Sequence, residues 1–359
     1  MQKTKILFFL PGLYGGGAEK VAVNVLRKLD EKKYELHLVL TEKKGKYVTL
    51  VPQYVTIHDL QVKKTMLSIL KLRKKVIEIN PDIIFSTLFR THLAIDLALT
   101  GLTNKPRTIY RSPNSPKLLL ENKQLSFIMT FLLEKAYKNA STIIAQTPEM
   151  KDEIIKYHKI DKTKITVFLN PIDSDLIDEK IKNIINPFDN KYINVVAAGR
   201  LIEQKGFDIL IKSFKAVVES NNNFRLFIIG EDVINQQVEL QMIIEDNKLE
   251  KYISFLGFQD NPYKYFYYSH MYVLSSRWEG LPNTVLENLY LKKAVIATRC
   301  IPFMDSLITN NKNGILIEPE DIEALSSAIL NYESIDTSYT TIKFNSNEID
   351  SIFTFKGKN

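Results

Sequence analysis

Short apolar runs alternate with amphipathic stretches along most of this chain, and no other feature of the sequence narrows its fold so far. Residues 5–9 read as a buried strand, and 18–29 follow with Ala18, Val21, Ala22, Val25 and Leu29 on one helical face. Strand-like runs recur at 35–40, 83–85, 108–111, 142–145 and 165–168, with helical segments at 65–79 and 115–139 among them. A polar stretch at 174–191, with Pro187, interrupts the rhythm. A second series then runs through 194–198, 207–219, 225–229, 236–248, 253–256, 271–274, 284–291, 294–297, 315–317 and 321–332. Strands that read as apolar throughout, separated by helical segments, are what parallel strands with crossover helices require. The pattern predicts an α/β protein of two Rossmann-like domains with parallel sheets, facing each other across an interdomain cleft. The expected division is a first domain at 1–172, a linker at 173–191, a second domain at 192–335 and a short tail at 336–359 that returns to the first domain. Open parallel sheets bind ligands at the carboxyl ends of their strands, so the chemistry is expected in strand-to-helix loops.

Composition removes other classes. With 45% hydrophobic and 25% charged residues, the 359-residue chain has too much apolar surface for intrinsic disorder. The single cysteine, Cys300, excludes a disulfide scaffold, and no apolar run reaches the roughly 18 residues of a membrane span. The apolar start, 6–10, is shorter than the roughly 7 residues a signal peptide needs, and reads as a first strand in a cytoplasmic protein. A net charge of +7 favours an anionic partner: nucleic acid, a membrane surface or a phosphorylated small molecule.

Three loops after strands hold the candidate site. The first contains Gly15, Gly16 and Gly17, which let backbone amides approach an anion at a helix N-terminus. It is not a dinucleotide fingerprint, because Lys20 stands where the third glycine belongs, nor a Walker A loop. Phosphate contact through Gly16 and Gly17 and a plain flexible connection are both open readings. The second loop offers Gly199, Arg200, Lys205 and Gly206; Arg200 suits a bidentate phosphate contact and Lys205 a mobile point charge, although a solvated loop would look similar. The third has Glu279 and Glu287 separated by seven residues, with Gly280 for a tight turn and Pro282 at the expected first helical position. Gly280, Leu281, Pro282, Asn283, Thr284 and Val285 would form the positive end of a helix facing a diphosphate. A carboxylate beside it binds vicinal hydroxyls well. The alternative is two glutamates that only balance the helix dipole.

Together these loops resemble the retaining glycosyltransferases of the two-Rossmann (GT-B) type, glycosyltransferase family 4, also called the group 1 glycosyl transferases. The resemblance extends to Asn170, Pro171, Ile172 and Asp173, to Phe255 through Asn261, Pro262 and Tyr263, and to Asn313, Gly314 and Pro319, and so takes in nearly the whole chain. The version of the third loop here is most similar to bacterial enzymes that build capsule, O-antigen or lipid-linked oligosaccharides. The resemblance implies a nucleotide-diphospho-sugar, a UDP-sugar, as donor in the second domain. It implies that Glu287 bonds the ribose hydroxyls, that Glu279 faces the transferred sugar, and that Arg200 and Lys205 neutralise the departing diphosphate, where charge grows in the transition state. It also implies retention, by front-face attack with the leaving phosphate helping to take the acceptor proton. No metal and no cofactor is expected: the nucleotide sugar is a substrate, no histidine cluster has ligand spacing, and Asp173 and Asp175 are read as structural. The sequence departs from the family at 301–308, where Asp305 is the candidate substitute for a family glutamate, and at Asn288, where alanine is usual.

The first domain is expected to bind the acceptor, a saccharide or one linked to polyprenyl diphosphate. Arg111 would steer a lipid phosphate and His92 would lie near the reacting sugar; a surface arginine and a structural histidine are the alternatives. Lys63, Lys64, Lys71, Arg73, Lys74 and Lys75 flank a helix bearing Met66, Ile69, Leu70, Leu72 and Val76. Lys117 and Lys138 bracket an apolar run of Leu118, Leu119, Leu120, Leu125, Phe127, Ile128, Met129, Phe131, Leu132 and Leu133. Both suit peripheral binding to the anionic inner face of the plasma membrane, and both also fit a core helix with one solvated side. Nucleic acid falls away, because aromatic and basic residues form no recognised module. Two other functions stay open: a nucleotide-sugar epimerase on the same architecture, and a non-catalytic nucleotide-sugar-binding subunit.

Overall fold

A computed structural model describes residues 2–117, 126–339 and 349–354. The chain forms two compact units, Met1–Asp173 with Asn345–Asn359, and Ser174–Phe344. The first unit contains β1 (Thr4–Leu10), β2 (Tyr34–Leu40), β3 (Thr56–Asp59), β4 (Ile83–Ser86), β5 (Arg107–Arg111), β6 (Thr142–Ala145) and β7 (Ile165–Val167). Its helices are α1 (Gly17–Lys28), α2 (Ile69–Ile79), α3 (Phe89–Leu99), α4 (Phe127–Asn139) and α5 (Pro148–His158). The second contains α6 (Ser174–Lys180), β8 (Ile193–Ala198), α7 (Phe207–Ser220), β9 (Phe224–Ile229), α8 (Gln236–Asp246), β10 (Ile253–Gly257) and α9 (Tyr263–Tyr268). It continues with β11 (Met271–Leu274), α10 (Asn283–Tyr290), β12 (Ala294–Thr298), α11 (Met304–Leu307), β13 (Gly314–Ile317) and α12 (Ile322–Leu330). A last helix, α13 (Ile349–Phe353), belongs to the first unit.

Every strand pair is parallel. The first sheet has the order β3-β2-β1-β4-β5-β6-β7 and the second β10-β9-β8-β11-β12-β13. β1 shows why its sequence is apolar without alternation. Ile6, Phe8 and Leu10 pack on one face with Val21 and Val25 of α1, while Leu7 and Phe9 pack on the other with Leu72 of α2 and Leu93 of α3. In the second unit, Val195 and Ala197 of β8 share one core with Leu210 and Phe214 of α7 and Leu325 and Ile329 of α12. In both sheets the strand order reverses beside the first strand, between β1 and β4 and between β8 and β11. Such reversals open a crevice at the carboxyl edge. The loops after β1, β8 and β11 border these two crevices, each within its own unit.

Several elements differ from the sequence expectation. β3 was not anticipated because Thr56, His58 and Asp59 give an edge strand no apolar run. Residues 174–191, expected with Asp173 as a linker, fold into the second unit. Asn261 Nδ2 donates to the Lys180 carbonyl (2.8 Å), the Tyr268 hydroxyl to the Ile184 carbonyl (2.9 Å), and the Phe188 ring lies 4.7 Å from that of Phe227. Two of these contacts end on backbone carbonyls, which any residue supplies, so they leave no mark in the sequence. The Asp173 carboxylate is held by Arg27 and, at 3.7 Å, by Lys28.

Of the helix expected over 115–139, α4 covers 127–139. Leu118, Leu119, Leu120 and Leu125 and the Phe127 side chain lie outside the described residues. In the tail, Phe353 is buried, 5.6 Å from the Phe85 ring and 6.2 Å from Phe8, and Asp350 pairs with Lys33 at 2.6 Å. No helix among the described residues is long and apolar enough to cross a membrane.

Candidate active site

The crevice of the second unit brings the loops after β8 and β11 side by side. Gly206 makes this possible: its backbone is left-handed (φ +60°), and a Cβ there would fall 2.2 Å from the Ser275 carbonyl oxygen. A Cβ at Gly199 would fall 2.9 Å from Lys205 Cε, so glycine leaves room for the lysine stem. Four hydrogen bonds stitch the loops together. Ser275 Oγ donates to the Lys205 carbonyl (2.9 Å), the Arg277 amide to the Gln204 carbonyl (2.8 Å), Arg277 Nη1 to the Glu203 carbonyl (2.6 Å) and Gln204 Nε2 to the Trp278 carbonyl (2.9 Å).

Lys205 and Glu279 thereby meet, with Nζ 2.5 Å from Oε1 and side chains 18% and 9% exposed. Ser276 Oγ donates to the same oxygen (2.7 Å), and Gln204 Nε2 lies 3.4 Å from the other. Arg200 is exposed in the same loop, and its guanidinium makes no hydrogen bond among the described residues. The Cys300 thiol, buried and close to Glu279, is pushed up to about 12 and is inert as a nucleophile.

Glu287 lies in the second turn of α10, buried, and accepts from the Tyr263 hydroxyl at 3.4 Å. Pro282 is the residue before the helix rather than its first position, so the helix starts at Asn283. The Val285 amide, expected to face an anion, instead donates to the Pro282 carbonyl (3.1 Å) as the first helical turn closes. Thr284 Oγ1 accepts from the buried Tyr272 hydroxyl at 2.7 Å; Gly280 and Leu281 are buried, and Asn283 half-buried. Asp305 is exposed in the first turn of α11 and pairs with Arg299 (3.0 Å). The side chains of Gln204, Tyr263, Ser276 and Arg277 were not singled out by sequence reasoning, although all four lie in or beside motifs that were.

In the first unit three expectations need correction. The amides of Gly15 and Gly16 donate to the Glu19 carboxylate (2.9 and 3.2 Å), so the chain's own side chain occupies part of the anion position expected for Gly16 and Gly17. His92 is fully buried, its Nε2 donating to the Ser86 carbonyl (3.2 Å) and its ring stacked 4.5 Å from Tyr110. Burial pulls it down to about 3, so it is neutral and interior. Arg111 is buried as well. Nε and Nη2 donate to Asn170 Oδ1 (3.0 and 2.6 Å), and burial lowers the guanidinium to about 9. Neither side chain reaches a surface, because each turns from its element into the packed first unit.

Cations and buried carboxylates gathered in one pair of loops can hold an anionic, hydroxylated ligand. Comparisons with known proteins identify the family. The model for glycosyl transferases group 1 matches residues 178–347, and that for glycosyltransferase family 4 matches 15–176. An uncharacterized glycosyltransferase of Methanocaldococcus jannaschii is 32% identical over 64% of this chain; the match spans 58% of that relative's length. The N-acetylgalactosamine-N,N'-diacetylbacillosaminyl-diphospho-undecaprenol 4-alpha-N-acetylgalactosaminyltransferase of Campylobacter jejuni is 28% identical, with 89% of this chain and 87% of the relative covered. Among solved structures, Anabaena Alr3699/HepE in complex with UDP and glucose superimposes with a TM-score of 0.78 at 18% identity, covering 98% of both chains. The two family models lie end to end over most of the sequence, and the protein belongs to the group 1, family 4 glycosyltransferases.

Proposed function

We propose that the protein transfers a sugar from a UDP-sugar to a polyprenyl-diphosphate-linked saccharide, with retention of anomeric configuration, in bacterial surface polysaccharide synthesis. The observation that carries this reading is the Lys205–Glu279 pair beside exposed Arg200 at the carboxyl edge of the second sheet. In the reaction the bond from the sugar C1 to the β-phosphate oxygen breaks, and its electrons pass to the diphosphate. Arg200 and Lys205 neutralise that charge as it forms, which lowers the barrier. The acceptor hydroxyl oxygen bonds to C1 on the face the diphosphate leaves, and its proton passes to a phosphate oxygen. Glu287 holds the ribose hydroxyls, and Tyr263 orients its carboxylate. Charge neutralisation rests on this chain's own cations. The relative's diphospho-undecaprenol substrate and the UDP in the Anabaena complex support the choice of acceptor and donor.

Such an acceptor is reached at a membrane face, and the first unit offers one surface for it. Leu67, in the turn before α2, and Leu70, in its first turn, are 72% and 80% exposed; Ile128 and Phe131 of α4 are exposed too, and exposed Lys63, Lys64, Lys71 and Lys74 lie on or beside α2, with Arg90 at the start of α3. α2, α3 and α4 each return after a strand, so these first turns share the carboxyl edge of the first sheet. None carries an acidic residue in its first turn, which suits anionic headgroups. Leu72 and Val76 are buried, and Met66 and Ile69 pack partly against the core, so they do not belong to this face. On this reading the protein works peripherally at the cytoplasmic membrane surface.

The test is a mass-resolved incubation of the full chain with a panel of UDP-sugars and a short polyprenyl-diphosphate saccharide. Gain of one sugar on the lipid with release of UDP is expected. Conversion of a UDP-sugar without acceptor would show an epimerase instead. Binding without turnover across the acceptor panel would show a non-catalytic subunit.

A further inference from the structure

We infer that Arg277 is a positioning residue, fixing the distance between Lys205 and Glu279 without touching substrate; this rests on the reading that those two face the donor. All five N–H groups of its guanidinium are engaged. Nη1 and Nη2 form a fork on Asp208 (2.9 and 2.8 Å), Nη1 also donates to the Glu203 carbonyl (2.6 Å), and Nε and Nη2 (3.5 Å) reach Glu320. The side chain is only 17% exposed, so this is a bidentate, shielded clamp rather than a surface ion pair.

What matters is which residues it grips. Glu203 and Asp208 straddle Lys205 in the chain, one held by its carbonyl and the other by its carboxylate, so the lysine backbone between them is bracketed. Glu279 lies two residues beyond Arg277, in the loop whose amide at Arg277 bonds to the Gln204 carbonyl. One guanidinium therefore holds the segments carrying both members of the pair in register at the carboxyl ends of the neighbouring strands β8 and β11. The side chain makes no bond to Lys205 or Glu279 itself, so it acts through their backbones. A lysine could keep the charge but not the planar five-donor fork.

A displaced leaving-group cation costs more in the transition state than in donor binding, because the charge it meets is larger there. Arg277→Lys is therefore expected to lower kcat at least tenfold while the donor KM moves less than about threefold, in line with the roughly hundredfold cost of a misplacement of about 1 Å. Rates are measured per folded molecule, at least 15 °C below each variant's Tm. Asp208→Asn, which weakens the same fork from the other side, is expected to follow with the same split, and it decides the matter if Arg277→Lys does not fold. Arg225→Lys serves as a control. It breaks carbonyl contacts to Asn222 and Phe224 at the amino end of β9, and is expected to leave kcat unchanged. The inference is overturned if Arg277→Lys and Asp208→Asn keep kcat within twofold of wild type, or if Arg225→Lys shows the same loss. A wild type that neither binds UDP nor transfers sugar overturns the reading of the site itself, whatever the variants do.

Discussion

Replacing Glu279 by glutamine is predicted to tighten UDP binding while slowing transfer. Lys205 is paired with Glu279: Nζ and Oε1 are 2.5 Å apart and both side chains are largely shielded from water. A diphosphate must therefore compete with a carboxylate for this cation, and meets that carboxylate's repulsion. At an effective dielectric of about 20, two charges about 4 Å apart interact by about 4 kcal/mol. Most of that is offset by solvation, and a hydrogen bond to a charged group nets about 1.5–3 kcal/mol. Glutamine keeps an acceptor for Lys205, so the charge alone is removed, and about 1–2 kcal/mol should return to ligand binding. That corresponds to roughly five- to thirtyfold tighter UDP binding. Titration calorimetry of UDP at low salt measures it, and steady-state transfer measures the loss of turnover when a neutral amide replaces the carboxylate facing the sugar. Unchanged or weaker UDP binding in Glu279→Gln would refute the competition between Glu279 and diphosphate for Lys205.

Other variants test the fold and its acid response. Phe353→Ala should cost about 3–5 kcal/mol in urea unfolding, because the ring is buried among Phe8, Tyr34 and Phe85; a loss below about 1 kcal/mol would mean that the last helix is not part of the first unit's core. His158 is buried, packed edge-on at 5.3 Å from Tyr137, and burial lowers it to about 4. Above about pH 6.5 it is neutral folded or unfolded; as pH falls from there toward 4 only the unfolded chain takes the proton, so stability is lost. By linkage His158→Phe should gain about 2 kcal/mol relative to wild type between pH 7 and pH 5, and parallel stability profiles would contradict this. Leu67→Glu with Leu70→Glu should abolish flotation with phosphatidylglycerol vesicles at low salt without changing the Tm by more than a few degrees; undiminished flotation would remove these side chains from the membrane face.

The central strands are legible in the sequence because parallel sheets bury both faces. β1, β6, β8 and β11 were read within a residue or so of their ends, whereas the edge strand β3, with no such burial, was invisible. The two-domain α/β fold and the family followed from the same rhythm and from loop motifs. What the sequence could not carry was side-chain direction at strand ends. Arg111 closes β5, but only the structure turns it onto Asn170, and His92 looks like a site residue until its ring is found stacked on Tyr110. The meeting of Lys205 and Glu279 was also hidden. They are 74 residues apart, and their contact depends on β8 lying next to β11, a fact of sheet order rather than of local pattern. Arg277 escaped for the same reason, since its partners Glu203, Asp208 and Glu320 come from segments remote in sequence.

On the proposed function, the carboxyl edge of the second sheet holds a nucleoside diphosphate between Glu287 and the cations Arg200 and Lys205. A crystal structure of the full chain with UDP tests it most directly. Ribose hydroxyls are expected within hydrogen-bond distance, roughly 2.6–3.2 Å, of the Glu287 carboxylate, and phosphate oxygens at Arg200 and Lys205. UDP seated elsewhere, or with its ribose away from Glu287, would contradict it.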